Sequence, residues 1–180
     1  MGANMIKKIP TERIICNIVL VSLGIVLSMM INVFNGLYQV VLPIHIPVII
    51  AGLLLGPISG INVAVLAPIL SNVFCGSPHV EDLLLIIFEL ICYGYISGFM
   101  KNKNQNIYIT LIISLILGRT IYFVCLWILT NVSTIDLFSI EKTIKTIIKE
   151  TPGIIIQIII IPPILKKMKS GLKEVYGVIS

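Results

Sequence analysis

The chain has 180 residues, of which 57% are hydrophobic and 12% charged, with a net charge of +5. Soluble domains carry about 25% charged residues, so this composition excludes one and implies an integral membrane protein. The apolar runs are continuous rather than alternating, which excludes a β-barrel and leaves an all-α bundle. No stretch has the polar composition of a separate soluble domain, so residues 1–180 read as one transmembrane domain.

A membrane span needs roughly 20 apolar residues. By that measure the chain divides into about six spans, over residues 12–33, 46–60, 61–75, 82–100, 107–130 and 152–167. Lys7 and Lys8 precede the first run as in a signal peptide. That run is too long for a signal core and lacks a small-x-small cleavage site, so it reads as a retained helix. Gly24 and Ser28 form a small-xxx-small pair on it, a face that packs internally or docks a separate membrane subunit.

The second and third spans are short and are joined by the turn Gly56-Pro57-Ile58-Ser59-Gly60. His45 stands at the entrance of the second, between Pro43 and Pro47, which stiffen the backbone there. It reads as a hydrogen-bonding entry residue or an interfacial one. Asn72 and His79 border the next loop as weaker polar candidates.

The fourth and fifth spans carry ionisable groups at depth. Such groups are costly in a bilayer and face a partner, a bundle interior or a water-filled site. Asp82, Glu89 and Tyr93 share one face of the fourth span at 100° per residue. Tyr108, Arg119 and Phe123 share one face of the fifth. A Glu89–Arg119 ion pair that only fixes packing fits this spacing. So does a pair that contacts a polar ligand. Gly94 and Gly98 lie opposite Glu89, so the fourth helix is expected to pack closely on one face and present polar groups on the other.

Residues 140–150 show Ile140, Ile144, Ile147 and Ile148 at helical spacing among three lysines. They read as an amphipathic helix at the outer face. In the sixth span Gln157 stands alone in an isoleucine run and needs a partner in the bundle. Lys7, Lys8 and Arg13, then Lys101 and Lys103, then Lys166, Lys167, Lys169 and Lys173 fall on one side if there are six crossings. Both termini are then cytoplasmic, and the loops without lysine or arginine face outward.

The lysines are explained by topology, so nucleic acid is not an expected partner. Cys16, Cys75, Cys92 and Cys125 form no CxxC pair and read as apolar packing residues. No Walker A, HExxH or GxSxG motif is present, so no catalytic residue, metal or cofactor is implied.

The chain resembles the S components of energy-coupling factor (ECF) transporters, the vitamin-capturing membrane subunits of prokaryotic importers. The resemblance is carried in order by LPIHIPVIIAGLLLGPISG (42–60), APIL (67–70), FELICYGYISGF (88–99), LGR (117–119) and PGIIIQIIIIP (152–162). It implies about six helices and a solute site near the outer face of a prokaryotic cell membrane. Transport would require a transmembrane T subunit and two ATPase subunits from other chains. With a site there, the polar residues His45, Asn72, Glu89, Tyr93, Arg119 and Tyr122 are the expected substrate contacts, and Gly24 and Ser28 are the nearest match to the small-residue face by which the first helix of many members meets the T subunit. Arg119 would suit a carboxylate such as pantothenate; Glu89 would suit an amine or ring N–H, as in pyridoxamine or a queuosine precursor. A stand-alone secondary carrier or channel is the alternative, and it would move solute without ATPase partners.

Overall fold

The computed structural model describes residues 10–33, 44–132 and 140–176. Among these residues the protein is all-helical, with six helices in chain order. They are α1 (Pro10–Val33), α2 (His45–Leu55), α3 (Pro57–Cys75), α4 (Val80–Asn102), α5 (Ile107–Val132) and α6 (Ile140–Tyr176). All but α2 contain a segment long and apolar enough to cross a membrane.

The short helix is the centre of the bundle. α2 has 11 residues, about 16 Å of helix, half the thickness of a bilayer core. It packs against α1, α3, α4 and α6. Every residue of α2 except Ile46 is buried, and Val48, Ile49 and Ala51 are fully so. A helix apolar on all sides is suited to such a place. The long helices instead turn one face inward and leave Ile18, Val73, Leu84, Ile116 and Ile159 outward, as a lipid-facing surface requires.

The α2–α3 connection is tighter than the expected five-residue turn. Only Gly56 is non-helical, at φ 99°, a conformation that costs other residues a Cβ clash. Its N–H donates to the Gly52 carbonyl at 3.0 Å and closes α2. Pro57 then opens α3, where its missing N–H is no loss and its fixed φ suits the first helical turn. The second span therefore ends at Leu55 and the third begins at Pro57. α6 also differs from expectation. Residues 140–150 and the sixth span form one continuous helix that runs through Pro152, Pro162 and Pro163.

Four glycines hold the end of the bundle where Gly56 lies. A Cβ on Gly60 would meet the backbone of Gly94, and one on Gly94 the backbone of Gly60. A Cβ on Gly98 would meet Gly56 and Pro57, and one on Gly52 would meet Gly94, Ser97 and Gly98. With no hydrophobic drive between helices in lipid, such close backbone approach is a main source of cohesion. The Ser97 hydroxyl donates to the Gly94 carbonyl at 3.2 Å, which satisfies it within its own helix.

The Gly24–Ser28 face of α1 turns inward. A Cβ on Gly24 would lie 3.2 Å from Cβ of Ala67 on α3, with Ile44 and Pro47 beyond. Ser28 is buried and donates to the Gly24 carbonyl at 3.0 Å. Of the two uses left open by the sequence, this face serves internal packing. Gly24 meets Ala67 of α3, and Ser28 is buried one turn further along α1.

Candidate functional site

The polar side chains gather at the opposite end of α2. His45, the first residue of α2, is 2% exposed. Glu89, about 13 Å along α4 from Val80, is also 2% exposed. Tyr93 follows Glu89 by one turn, so the two share a face. Its hydroxyl donates to Oε1 of Glu89 at 2.5 Å. Arg119 reaches the same oxygen from α5, with Nη1 at 3.2 Å. His45 Nε2 lies 3.8 Å from it, close for charge and beyond a direct hydrogen bond.

One carboxylate oxygen thus gathers groups from three helices. The arrangement answers the cost of the charge. An isolated ion in a low-dielectric interior is penalised by several kcal/mol, and a partner with hydrogen bonds offsets that. None of these three contacts uses Oε2 of Glu89.

Aromatic rings frame the ion pair. The His45 and Tyr93 rings lie 5.3 Å apart between centroids, tilted by 56°. The Arg119 guanidinium stands 5.8 Å from the centroid of Tyr122, at the range of a cation–π contact. Gly118, beside Arg119 in sequence, admits the Tyr93 ring. A Cβ there would strike the ring carbons Cδ1, Cε1 and Cζ of Tyr93. The absent side chain lets α4 and α5 close on each other at the level of the ion pair.

The structure therefore brings together five of the six expected contacts: His45, Glu89, Tyr93 and Arg119 around one oxygen, and Tyr122 beside the guanidinium. Asn72 is used elsewhere. Its side-chain amide donates to the Pro78 carbonyl at 2.7 Å, while the Ser71 hydroxyl donates to the Ser77 carbonyl at 2.6 Å. Both brace the loop between α3 and α4. The wider stripes shorten too. Asp82 and Tyr108 are exposed near the starts of their helices. Gly118 was missed by reasoning from polar residues; its sequence signal is a glycine directly before an intramembrane arginine.

Chemically the site offers a carboxylate, a guanidinium, an imidazole and a phenol held in fixed relation. Such a set has the donors and acceptors to hold a polar solute by hydrogen bonds. Two buried hydroxyls of α5 are engaged locally: Ser114 donates to the Thr110 carbonyl and Thr110 to that of Asn106.

A family model described as "ECF transporter, substrate-specific component" matches residues 15–168. That range includes every residue of the polar cluster and all four packed glycines. Neither a curated relative nor a solved structure gives a significant match. The chain is a multi-pass membrane protein, and it belongs to the family of substrate-specific components of ECF transporters.

Proposed function

We propose that this chain captures a vitamin or vitamin-like precursor for an ATP-driven importer. The solute binds among His45, Glu89, Tyr93, Arg119 and Tyr122, and the loaded subunit reorients on a T subunit joined to two ATPases. The observation that carries the reading is the convergence of Tyr93, Arg119 and His45 on one buried carboxylate oxygen. Within a bundle held mainly by apolar packing, that is an expensive arrangement to keep without a polar ligand to recognise.

The orientation follows from charge. Lys101 and Lys103 end α4, and Lys166, Lys167 and Lys169 lie near the end of α6. The lysines at this end outnumber Lys142, Lys145 and Lys149 at the other end of α6, which marks it as cytoplasmic, in a prokaryotic cell membrane. The Glu89 cluster then lies toward the outside, and the Gly56 turn toward the cytoplasm.

The energy for uptake comes from the partners, since the chain carries no Walker A motif. The ion pair also bears on solute class. Glu89 and Arg119 neutralise each other, so the site favours a solute with both a hydrogen-bond donor and an acceptor over one with a single strong charge. Native mass spectrometry of gently purified protein tests this. The expected result is a co-purified small solute, together with T and ATPase subunits when they are co-expressed. Accumulation of solute by vesicles holding this chain alone, without ATP, would instead establish the stand-alone carrier.

A further inference from the structure

Buried polar atoms without a partner are rare, and each calls for an explanation. Two lie one turn apart on α1. Nε of Arg13 and Oδ1 of Asn17 are buried, and neither has a hydrogen-bond partner. One is a donor and the other an acceptor. Glu12 is the residue before Arg13, about 100° round the helix, so it does not share this face.

The position of the two follows from the packing of α1. At 100° per residue both stand within about 20° of Gly24, so they continue the face that packs on α3. Gly24 itself faces Ala67, Ile44 and Pro47. On the Pro10 side of Gly24, Leu20, Val21 and Cys16 join the core cluster that holds Val48, Ile50 and Leu55 of α2. That side of α1 therefore runs along α2 toward Gly56. Eleven residues separate Arg13 from Gly24, and eleven separate Gly56 from Ala67. Each is about 16 Å of helix, so Arg13 stands level with the Gly56 turn. A Cβ on Gly56 would meet nothing within 4 Å, so there is open space at the turn. The apolar span of α1 begins at Thr11 and that of α3 at Pro57. This level is thus the edge of the hydrocarbon layer, where lipid headgroups begin. Ile14 and Ile58, next in sequence to Arg13 and Pro57, are exposed and offer acyl chains an apolar surface.

We infer that Arg13 and Asn17 form a headgroup site for an anionic phospholipid that carries a hydroxyl beside its phosphate, as phosphatidylglycerol does. The guanidinium donates to the phosphodiester oxygens, with Nε–H one of its donors. The headgroup hydroxyl donates to Oδ1 of Asn17. Choline and ethanolamine headgroups would instead bring a second cation beside Arg13. Basic sites at the cytoplasmic ends of membrane helices suit such lipids. The inner leaflet follows from the orientation proposed above, and the site is independent of the Glu89 cluster.

Native mass spectrometry of the purified chain with matched dioleoyl lipids tests this. The unaltered chain should retain phosphatidylglycerol over phosphatidylcholine, and Arg13→Gln should lower that retention about fivefold, the loss of one basic contact. Asn17 is read with phosphatidylmethanol, which has the same charge and no headgroup hydroxyl. The unaltered chain should prefer phosphatidylglycerol to it about threefold, and Asn17→Leu should remove the preference. Lys103→Gln, just past the end of α4, should change neither result. Equal retention of phosphatidylglycerol by Arg13→Gln and the unaltered chain overturns the site. Should Arg13→Gln not fold, an unaltered chain with no preference for phosphatidylglycerol over phosphatidylcholine overturns it instead. Displacement of the lipid by an equal concentration of glycerol phosphate would assign the pair to a soluble anion. An Arg13→Gln chain that holds lipid as before but no longer co-purifies with co-expressed T and ATPase subunits would assign it to a protein partner. Either result overturns the lipid assignment.

Discussion

The two ends of α2 are held by opposite means. At the His45 end, charge does the work: one carboxylate oxygen draws side chains from α2, α4 and α5. At the Gly56 end, the absence of side chains does it: Gly52, Gly60, Gly94 and Gly98 let three backbones touch. Hydrogen-bonded ions can exchange partners with an arriving solute. Backbone contacts in a close-packed interior have no alternative partner and only one arrangement. On the proposed function, the contrast separates a part that recognises solute from a part that stays fixed.

The largest expected effect is at the ionic end. Glu89→Ala leaves the Arg119 charge buried without its partner and should cost about 3–5 kcal/mol, read as a fall in the thermal midpoint of detergent-solubilised protein. Replacing both residues by leucine should recover most of that loss, because no uncompensated charge remains. A double variant as unstable as the single one would show that the pair holds the fold by more than charge.

The glycine end should respond nearly as strongly, and for a different reason. Gly94→Ala drives a methyl group into the Gly60 backbone and should cost about 3 kcal/mol, the upper range for overpacking. Solute occupancy per folded molecule should be unchanged. Gly118→Ala lies between the two ends in character. It displaces the Tyr93 ring and with it the hydroxyl bonded to Glu89, at about 2 kcal/mol, and it should weaken solute binding as well. The smallest effect is Asn72→Ala, which removes one loop hydrogen bond worth about 1 kcal/mol and should leave solute occupancy intact.

How much of this was legible in the sequence follows the same division. Helical spacing put Glu89 and Tyr93 on one face, and sequential antiparallel helices brought Arg119 opposite, because a lone buried charge demands a partner. The Gly94–Gly98 face was legible for the complementary reason. The α2–α3 boundary was not, since a positive φ at Gly56 can end one helix and let Pro57 begin the next without any loop. The spacing of Gly24 and Ser28 does not say which helix Gly24 meets; its neighbour Ala67 is distant in sequence. Gly118 and Asn72 depend likewise on what stands opposite them, the Tyr93 ring and the Pro78 carbonyl. Single-helix periodicity carries no information about such neighbours.

The most direct measurement is solute occupancy by native mass spectrometry for Arg119→Gln beside Gly94→Ala, each compared with the unaltered chain. The account predicts that Arg119→Gln loses the co-purified solute while folded Gly94→Ala retains it. Solute retained by Arg119→Gln, or lost equally from both, would contradict the assignment of recognition to the His45 end.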